Sequence, residues 1–245
     1  MTITSLDYKI STWIIFAITC FACLSASADA GRKNDTHYND AGFFDVHVCN
    51  WPDRKPFFLA IFSTYKFKEL KSIKVFRADG SELGRLNLLR YRLILKKGKP
   101  EKRAFISEFN ISKRDTTGWY SATIEFKDGT QYQARDLVLL ETLEKARIVF
   151  PANKKKLPKP PAYLEWKAIP GAKFYRVFVR DQWEGGKLIL ETRLIKSNRY
   201  QLPPGLIEAG GWYSWKVHAR DVNEDIKLGD FNRGSISTES EFSVE

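Results

Sequence analysis

The residues best able to do chemistry are few. His47 and Cys49 stand two apart in His47-Val48-Cys49-Asn50-Trp51. On a strand, positions i and i+2 share a face, so the imidazole could take the thiol proton. A working nucleophile also needs a third group to orient the base, and donors for an oxyanion. No motif in the chain supplies either, and Cys49 reads as a small buried hydrophobe. Asp221-x-Asn223-x-Asp225, followed by Gly229-Asp230, spaces oxygen ligands like the first half of a calcium loop. Ile226 stands where that loop needs glycine, and Asn232 where it needs glutamate. A polar inter-strand loop is therefore expected. His37, His47 and His218 lack HExxH or paired metal spacing. Gly185-Gly186 and Gly210-Gly211 read as turns, and no Gly-x-Ser-x-Gly occurs. No catalytic residue, metal or cofactor is expected. A small glycan-active enzyme with a carboxylate pair is the least favoured reading, because two modest domains leave little room for a deep cleft.

Binding chemistry is better represented. The chain carries a net charge of +11 over 245 residues. Residues 50–156 hold 24 basic and 12 acidic residues, whereas residues 157–245 hold 13 and 12. The excess thus belongs to the first half. Lys66, Lys68, Lys71 and Lys74 crowd one connection, Arg90 and Arg92 share a strand face, and Lys96 and Lys97 open a basic loop. Such a concentration is a footprint for an anionic partner. The plain alternative is a solvated basic surface. Trp119, Trp183 and Trp212 are expected outside the core, where they could stack on sugar rings or fill a contact between domains.

The elements that position these residues read as strands. The 34 aromatic residues and single Met favour sheets over helices. An apolar run, Trp13 to Leu24, precedes Ala28-Asp29-Ala30. That is the pattern of a cleaved secretory signal over residues 1–30, and an uncleaved anchor is the alternative. Export disfavours nucleic acid as a partner and leaves Cys49 as the only thiol. Residues 31–50 read as a flexible leader. Residues 51–153 alternate short apolar runs with turns such as Asp79-Gly80 and Asp128-Gly129, the signature of a sandwich built from hairpins. Leu83–Leu95 is read there as one run. Residues 154–161, rich in Lys and Pro, read as a semi-rigid linker. Residues 162–245 repeat the strand texture. The expected fold is all-β, two tandem antiparallel sandwiches.

Two stretches carry family resemblances. Leu164-x-Trp166, Gly171-Ala172-x-x-Tyr175-x-Val177, Tyr200-x-Leu202-Pro203 and Gly211-x-Tyr213-x-Trp215-x-Val217-x-Ala219 resemble a fibronectin type III domain over residues 157–245. The resemblance implies that Trp166 packs the sandwich centre, and strand alternation puts Tyr175 and Trp215 in the core. The resemblance also gives Tyr213 a corner bond at the start of a strand. No Arg-Gly-Asp occurs, so the resemblance implies fold and not integrin recognition. Asp115-Thr116-Thr117-Gly118-Trp119-Tyr120-x-Ala122 is similar to the strand corner of immunoglobulin-like domains, with Ala122 where that superfamily has a disulfide Cys. Alternation along the same run puts Tyr120 on the core face with Ala122, Ile124 and Phe126.

The resulting expectation is an exported, bacterial-type, non-catalytic binding or scaffold protein, periplasmic or at the cell surface. Its basic first domain would contact an anionic envelope polymer, the membrane periphery or an acidic protein. A carbohydrate-binding module using the three tryptophans is the alternative.

Overall fold

A computed structural model describes residues 36–222 and 231–245. The expected signal segment and residues 31–35 lie outside the described residues, as does most of the candidate calcium loop. The first half forms β1 (Tyr38–Asn39), β2 (Gly42–Asn50), β3 (Phe57–Thr64), β4 (Leu70–Phe76), β5 (Glu82–Arg85), β6 (Tyr91–Ile94), β7 (Lys102–Asn110), β8 (Gly118–Phe126) and β9 (Gln131–Val138). The second forms β10 (Ile148–Phe150), β11 (Lys155–Leu157), β12 (Tyr163–Trp166), β13 (Phe174–Asp181), β14 (Lys187–Glu191), β15 (Arg199–Gln201), β16 (Trp212–Arg220), β17 (Arg233–Ile236) and β18 (Ser240–Val244).

The fold is all-β, an immunoglobulin-like sandwich followed by a fibronectin type III-like one. In the first, the strand order β2-β3-β7-β6 faces β5-β4-β8-β9. Alternation drives the packing: Tyr120, Ala122, Ile124 and Phe126 of β8 point inward, while Trp119, Ser121, Thr123 and Glu125 point out. They meet Phe44, Val46, Phe58, Phe62 and Phe105 from the opposite sheet in one core. Tyr120 donates its hydroxyl to Asp115 at 3.2 Å, and Asp115 also holds Arg77 at 2.9 Å. Burial, with Asp115 adding to it, pushes the Tyr120 phenol well above its ordinary range.

In the second sandwich β10-β12-β15 faces the strands β14, β13, β16 and β18. Trp166 and Trp215 are fully buried at its centre. Tyr175 meets Trp166 edge-on at 5.4 Å, and its hydroxyl accepts the Ile169 N–H at 3.0 Å. Tyr213 makes the corner: its hydroxyl accepts the Glu208 N–H at 3.0 Å. Gly211 leaves room for that ring, since a Cβ there would overlap it.

The two sandwiches are joined by a shared sheet. β17 pairs in parallel with β2, Arg233 beside Val48 and Ser235 beside Asn50. This corrects two sequence expectations. Residues 42–50 are not a flexible leader but a strand, buried on both faces. A run reading Phe-Phe-Asp-Val-His-Val-Cys hides its strand character behind polar residues on its second face. The Lys/Pro segment is likewise not simply a linker. Its residues 155–157 form β11, paired in parallel with β18, and residues 148–150 already belong to the second sandwich through β12. The changeover between sandwiches therefore falls after β9 and before β10. The single run expected over residues 83–95 divides into β5 and β6, which belong to opposite sheets, with a turn at residues 88–90 between them.

The edge of β2 away from β3 shows how the junction is closed. A buried backbone N–H needs a partner, and three successive ones find three different sources. Phe44 N–H reaches the His37 carbonyl at 2.8 Å, and Val48 N–H reaches the Asn232 carbonyl at 2.8 Å. Between them Val46 N–H reaches the Asp136 carboxylate at 2.8 Å. Ser235 Oγ adds a bond to the Glu144 carbonyl at 2.7 Å, and Asn50 Nδ2 one to the Leu143 carbonyl at 2.8 Å.

Candidate functional site

The basic residues singled out in the sequence separate into two groups. Arg90 and Arg92 lie on and just before β6, the edge strand of the large sheet, and Lys96 and Lys97 follow it in the hairpin to β7. Lys66 and Lys68 lie in the β3–β4 connection, which meets the same hairpin. The Lys102 ammonium sits 5.4 Å from the Tyr65 ring, and the Arg103 guanidinium stacks 4.0 Å from Phe67 and 4.2 Å from Tyr91. Arg90, Arg92, Lys96 and Lys97 therefore share the β6 edge, whereas the Lys66 ammonium lies 5.9 Å from Phe126 and 6.0 Å from Tyr132 of the opposite sheet. Lys74 does not join them. It stands on β4 beside Thr123 and Arg85, on the outer face of the other sheet.

The edge is poorly neutralised. Arg90 reaches Glu108 at 3.6 Å, a carboxylate already held by Arg54 at 2.8 Å. Among the described residues no carboxylate pairs with Arg92, Lys96, Lys97 or Lys99. The sequence reading missed the apolar partners of these cations. Leu89 is 90% exposed, Leu93 53% and Leu95 73%, with Tyr91 also exposed. Along β6, basic and apolar residues alternate: Arg92, with Arg90 just before the strand, lies on one face and Tyr91 and Leu93 on the other, while Leu89 stands in the preceding turn. The alternation is visible in Leu89-Arg90-Tyr91-Arg92-Leu93, but the exposure of its apolar half follows only from the edge position of β6.

The tryptophans also divide. Trp183 and Trp212 meet edge-to-face at 5.6 Å, and Trp183 donates Nε1–H to the Gly210 carbonyl at 3.1 Å. Trp183 is 70% exposed. Trp119 belongs to the other sandwich, on the outer face of β8, with Arg135 4.7 Å over its ring.

The Cys/His pairing does not make a nucleophile. Asp45, His47 and Cys49 share one face of β2, with His47 Nε2 bonded to the Asp45 carboxylate. Yet Cys49 is fully buried. Burial, reinforced by Asp45 and Glu108, pushes its thiol up to about 12, so it stays protonated at neutral pH. His47 stacks on Phe231 at 3.8 Å, and Phe231 meets His218 edge-on at 5.3 Å. His37, Asp45 and Asp136 bring their ligand atoms within 4.8 Å of one another, a grouping with no signature in sequence spacing. Both oxygens of Asp136 are engaged by protein donors, His37 at 2.9 Å and Val46 N–H at 2.8 Å. The group acts as a polar clasp on β2. Of the calcium-loop residues, Asp221 is turned to Arg233 at 2.9 Å. A cavity of about 310 Å³ is lined by Val48, Lys55, Pro56, Ile111, Leu140 and Thr142, which offer one ammonium, one hydroxyl and no carboxylate.

No family model and no curated protein sequence matches the chain. Among solved structures it is similar to Tp47, the 47-kilodalton lipoprotein of Treponema pallidum, at 11% identity over 81% of this chain and 50% of that one, TM-score 0.38. It is also similar to SGBP-B of the Bacteroides ovatus mixed-linkage glucan utilization locus, in complex with a mixed-linkage heptasaccharide (13% identity, 80% and 42% covered, TM-score 0.21). A third is the mouse nectin-like molecule 4 ectodomain (13% identity, 83% and 64% covered, TM-score 0.25). The chain spans 50%, 42% and 64% of these proteins. The assignment of fold rests on the strand pairing described above.

Proposed function

We propose that this is an exported, non-catalytic binding or scaffold protein whose first sandwich contacts an anionic partner of the cell envelope. The observation that carries this reading is the run of cations along β6 and its hairpin without a matching set of carboxylates. An exposed cation gains little for the fold from a partner, since a surface ion pair is worth only about 0–1 kcal/mol. Unbalanced cations raise the local concentration of an anionic partner and steer its approach. The fully protonated, buried Cys49 and the internally satisfied clasp at Asp136 support a non-catalytic reading. Export is inferred from the apolar segment and Ala28-Asp29-Ala30.

The test is retention of the full chain on a sulfated polyanion, with salt as the variable. Binding should weaken steadily as salt rises, because a surface cation is screened within about 8 Å at physiological ionic strength. Arg90→Glu with Arg92→Glu should abolish most of it. Retention that is indifferent to salt and to this reversal would sink the proposal.

The Trp183–Trp212 pair favours a second reading, a carbohydrate platform. Its indole face is exposed and its position is fixed by the bond to Gly210. Trp183→Ala would then remove retention on a glycan resin with little salt dependence, while Arg90 and Arg92 variants keep it.

A further inference from the structure

The edge of β6 has backbone as well as side-chain character. The Arg90 carbonyl accepts the Ile106 N–H at 3.4 Å, and Arg92 lies opposite Ala104. Hydrogen-bonded pairs alternate along an antiparallel ladder. Arg92 and Ile94 therefore turn their amides toward β7, and Tyr91 and Leu93 turn theirs away from the sheet. Among the described residues nothing pairs with these outward amides. An open edge carrying exposed large apolar side chains is the arrangement that strand-built proteins otherwise suppress.

We propose that β6 is a strand-addition site for an extended protein segment in which acidic and apolar residues alternate. This rests on the reading of the cationic edge as the contact surface and names the partner's chemistry. The added strand would exchange main-chain bonds with Tyr91 and Leu93. Side chains directly opposite each other in an antiparallel pair share a face. Acidic residues of the partner would thus meet Arg90 and Arg92, and its apolar residues would meet Tyr91 and Leu93. Lys96 and Lys97 would take further carboxylates where the segment leaves the strand. Two other occupants fit less well. A bilayer interior cannot satisfy the outward amides, since open sheet edges are not tolerated in hydrocarbon. A second copy would set Arg90 and Arg92 of one edge against the same cations of another, and like charges directly opposed destabilise a pair.

The experiment measures binding of the full chain to a synthetic peptide of about eight residues, a common strand length, with Glu and Val alternating. A control peptide has the same composition with its Glu and Val in separate blocks. Two further peptides are N-methylated, one on the amides that would face β6, the other on the alternate amides. The alternating peptide should bind, and the block peptide should bind roughly tenfold or more weakly, as expected for one or two lost edge bonds and their side-chain pairs. Methylation of the β6-facing amides should abolish binding, while methylation of the alternate ones is tolerated. On the protein side, Leu93→Pro removes an outward N–H and no bond to β7, a position where edge proline is accepted. It should weaken the peptide by a similar factor and leave polyanion retention unchanged.

Equal affinity for alternating and block peptides, or indifference to which amides are methylated, would overturn strand addition. Intact polyanion retention in that case would leave the broader reading of the basic surface standing, and loss of both would remove it too. Capture by phosphatidylglycerol vesicles that depends on Leu89 and Leu93 side chains, without peptide binding, would assign the edge to lipid. A concentration-dependent dimer abolished by Leu93→Pro would assign it to a second copy. Either result overturns the proposal.

Discussion

Each sandwich ends in an open edge strand, and the two edges are treated differently. β14, at the edge of the second sandwich, has its charges answered: Arg176 holds Glu191 at 2.8 Å, and Lys187 holds Glu184 at 2.5 Å. Its Ile189 and Leu190 pack against the core, and only Leu188 is exposed, at 39%. β6, at the edge of the first, leaves its cations largely unanswered and its leucines in solvent. The same architecture can close an edge electrostatically or leave it available. Fold alone thus says little about function here, and local chemistry at one strand says more.

Several measurements would break or sharpen this contrast. The largest effect concerns the scaffold that both edges share. Trp166→Ala should cost about 3–5 kcal/mol, the usual loss for a buried Trp. Because β2 and β17 join the sandwiches, denaturant unfolding followed by a probe in either half should shift together. Two separate transitions, with only the second displaced, would mean that the halves are energetically independent. At the edges, Arg90→Glu with Arg92→Glu should lower polyanion affinity by about tenfold or more, each factor of ten being about 1.4 kcal/mol. Lys187→Glu on β14 should change it far less. Equal losses would remove the distinction between the edges and leave only net charge.

Acid should act on the second half's side of the junction. Burial above all, with Arg220 and His47 adding to it, holds the His218 imidazole well below its ordinary 6.5. Such a group binds fewer protons folded than unfolded, so stability is flat above about pH 6.5 and falls as pH drops below it. The slope attributable to one proton is about 1.4 kcal/mol per pH unit. In His218→Asn the acid-side slope should shrink, read as melting temperature against pH relative to the parent chain. A persistent slope would place the acid sensitivity elsewhere.

The smallest effect compares the two corner tyrosines. Tyr213→Phe removes the acceptor for the Glu208 N–H and should cost about 1 kcal/mol. Tyr120→Phe should cost less, because Asp115 retains Arg77 and the Ser112 amide. Chemical denaturation of the two variants decides the order.

The second sandwich was the more legible half. Trp166, Tyr175, Tyr213 and Trp215 stand at spacings that follow the two-residue strand repeat, and alternation carries burial directly. The first was readable over β3, β4 and β7 to β9, and misread at β2 and over residues 83–95. β2 carries Asp45 and His47 on its second face, which looks solvent-facing until β17 and Phe231 are placed against the strand. That cover comes from residues about 180 positions later, a distance no local pattern reaches. Similarly, Lys155 and Lys156 resemble a solvated tether, yet their backbone is what pairs with β18. At the candidate site the cations were visible from composition. Their accessibility, and that of the leucines between them, depended on β6 lying at a sheet edge.

The parallel pairing of β17 with β2 has a consequence for the order in which the molecule can be completed. Synthesis proceeds from the first strand to the last, so residues 48–50 wait for residues 232–235 before that edge is closed. Until then the nascent first sandwich presents bare amides at the point where it will later be sealed, a state exposed to mispairing. A fragment cut between the sandwiches would be frozen at that stage. The smallest piece that represents the protein is accordingly the pair.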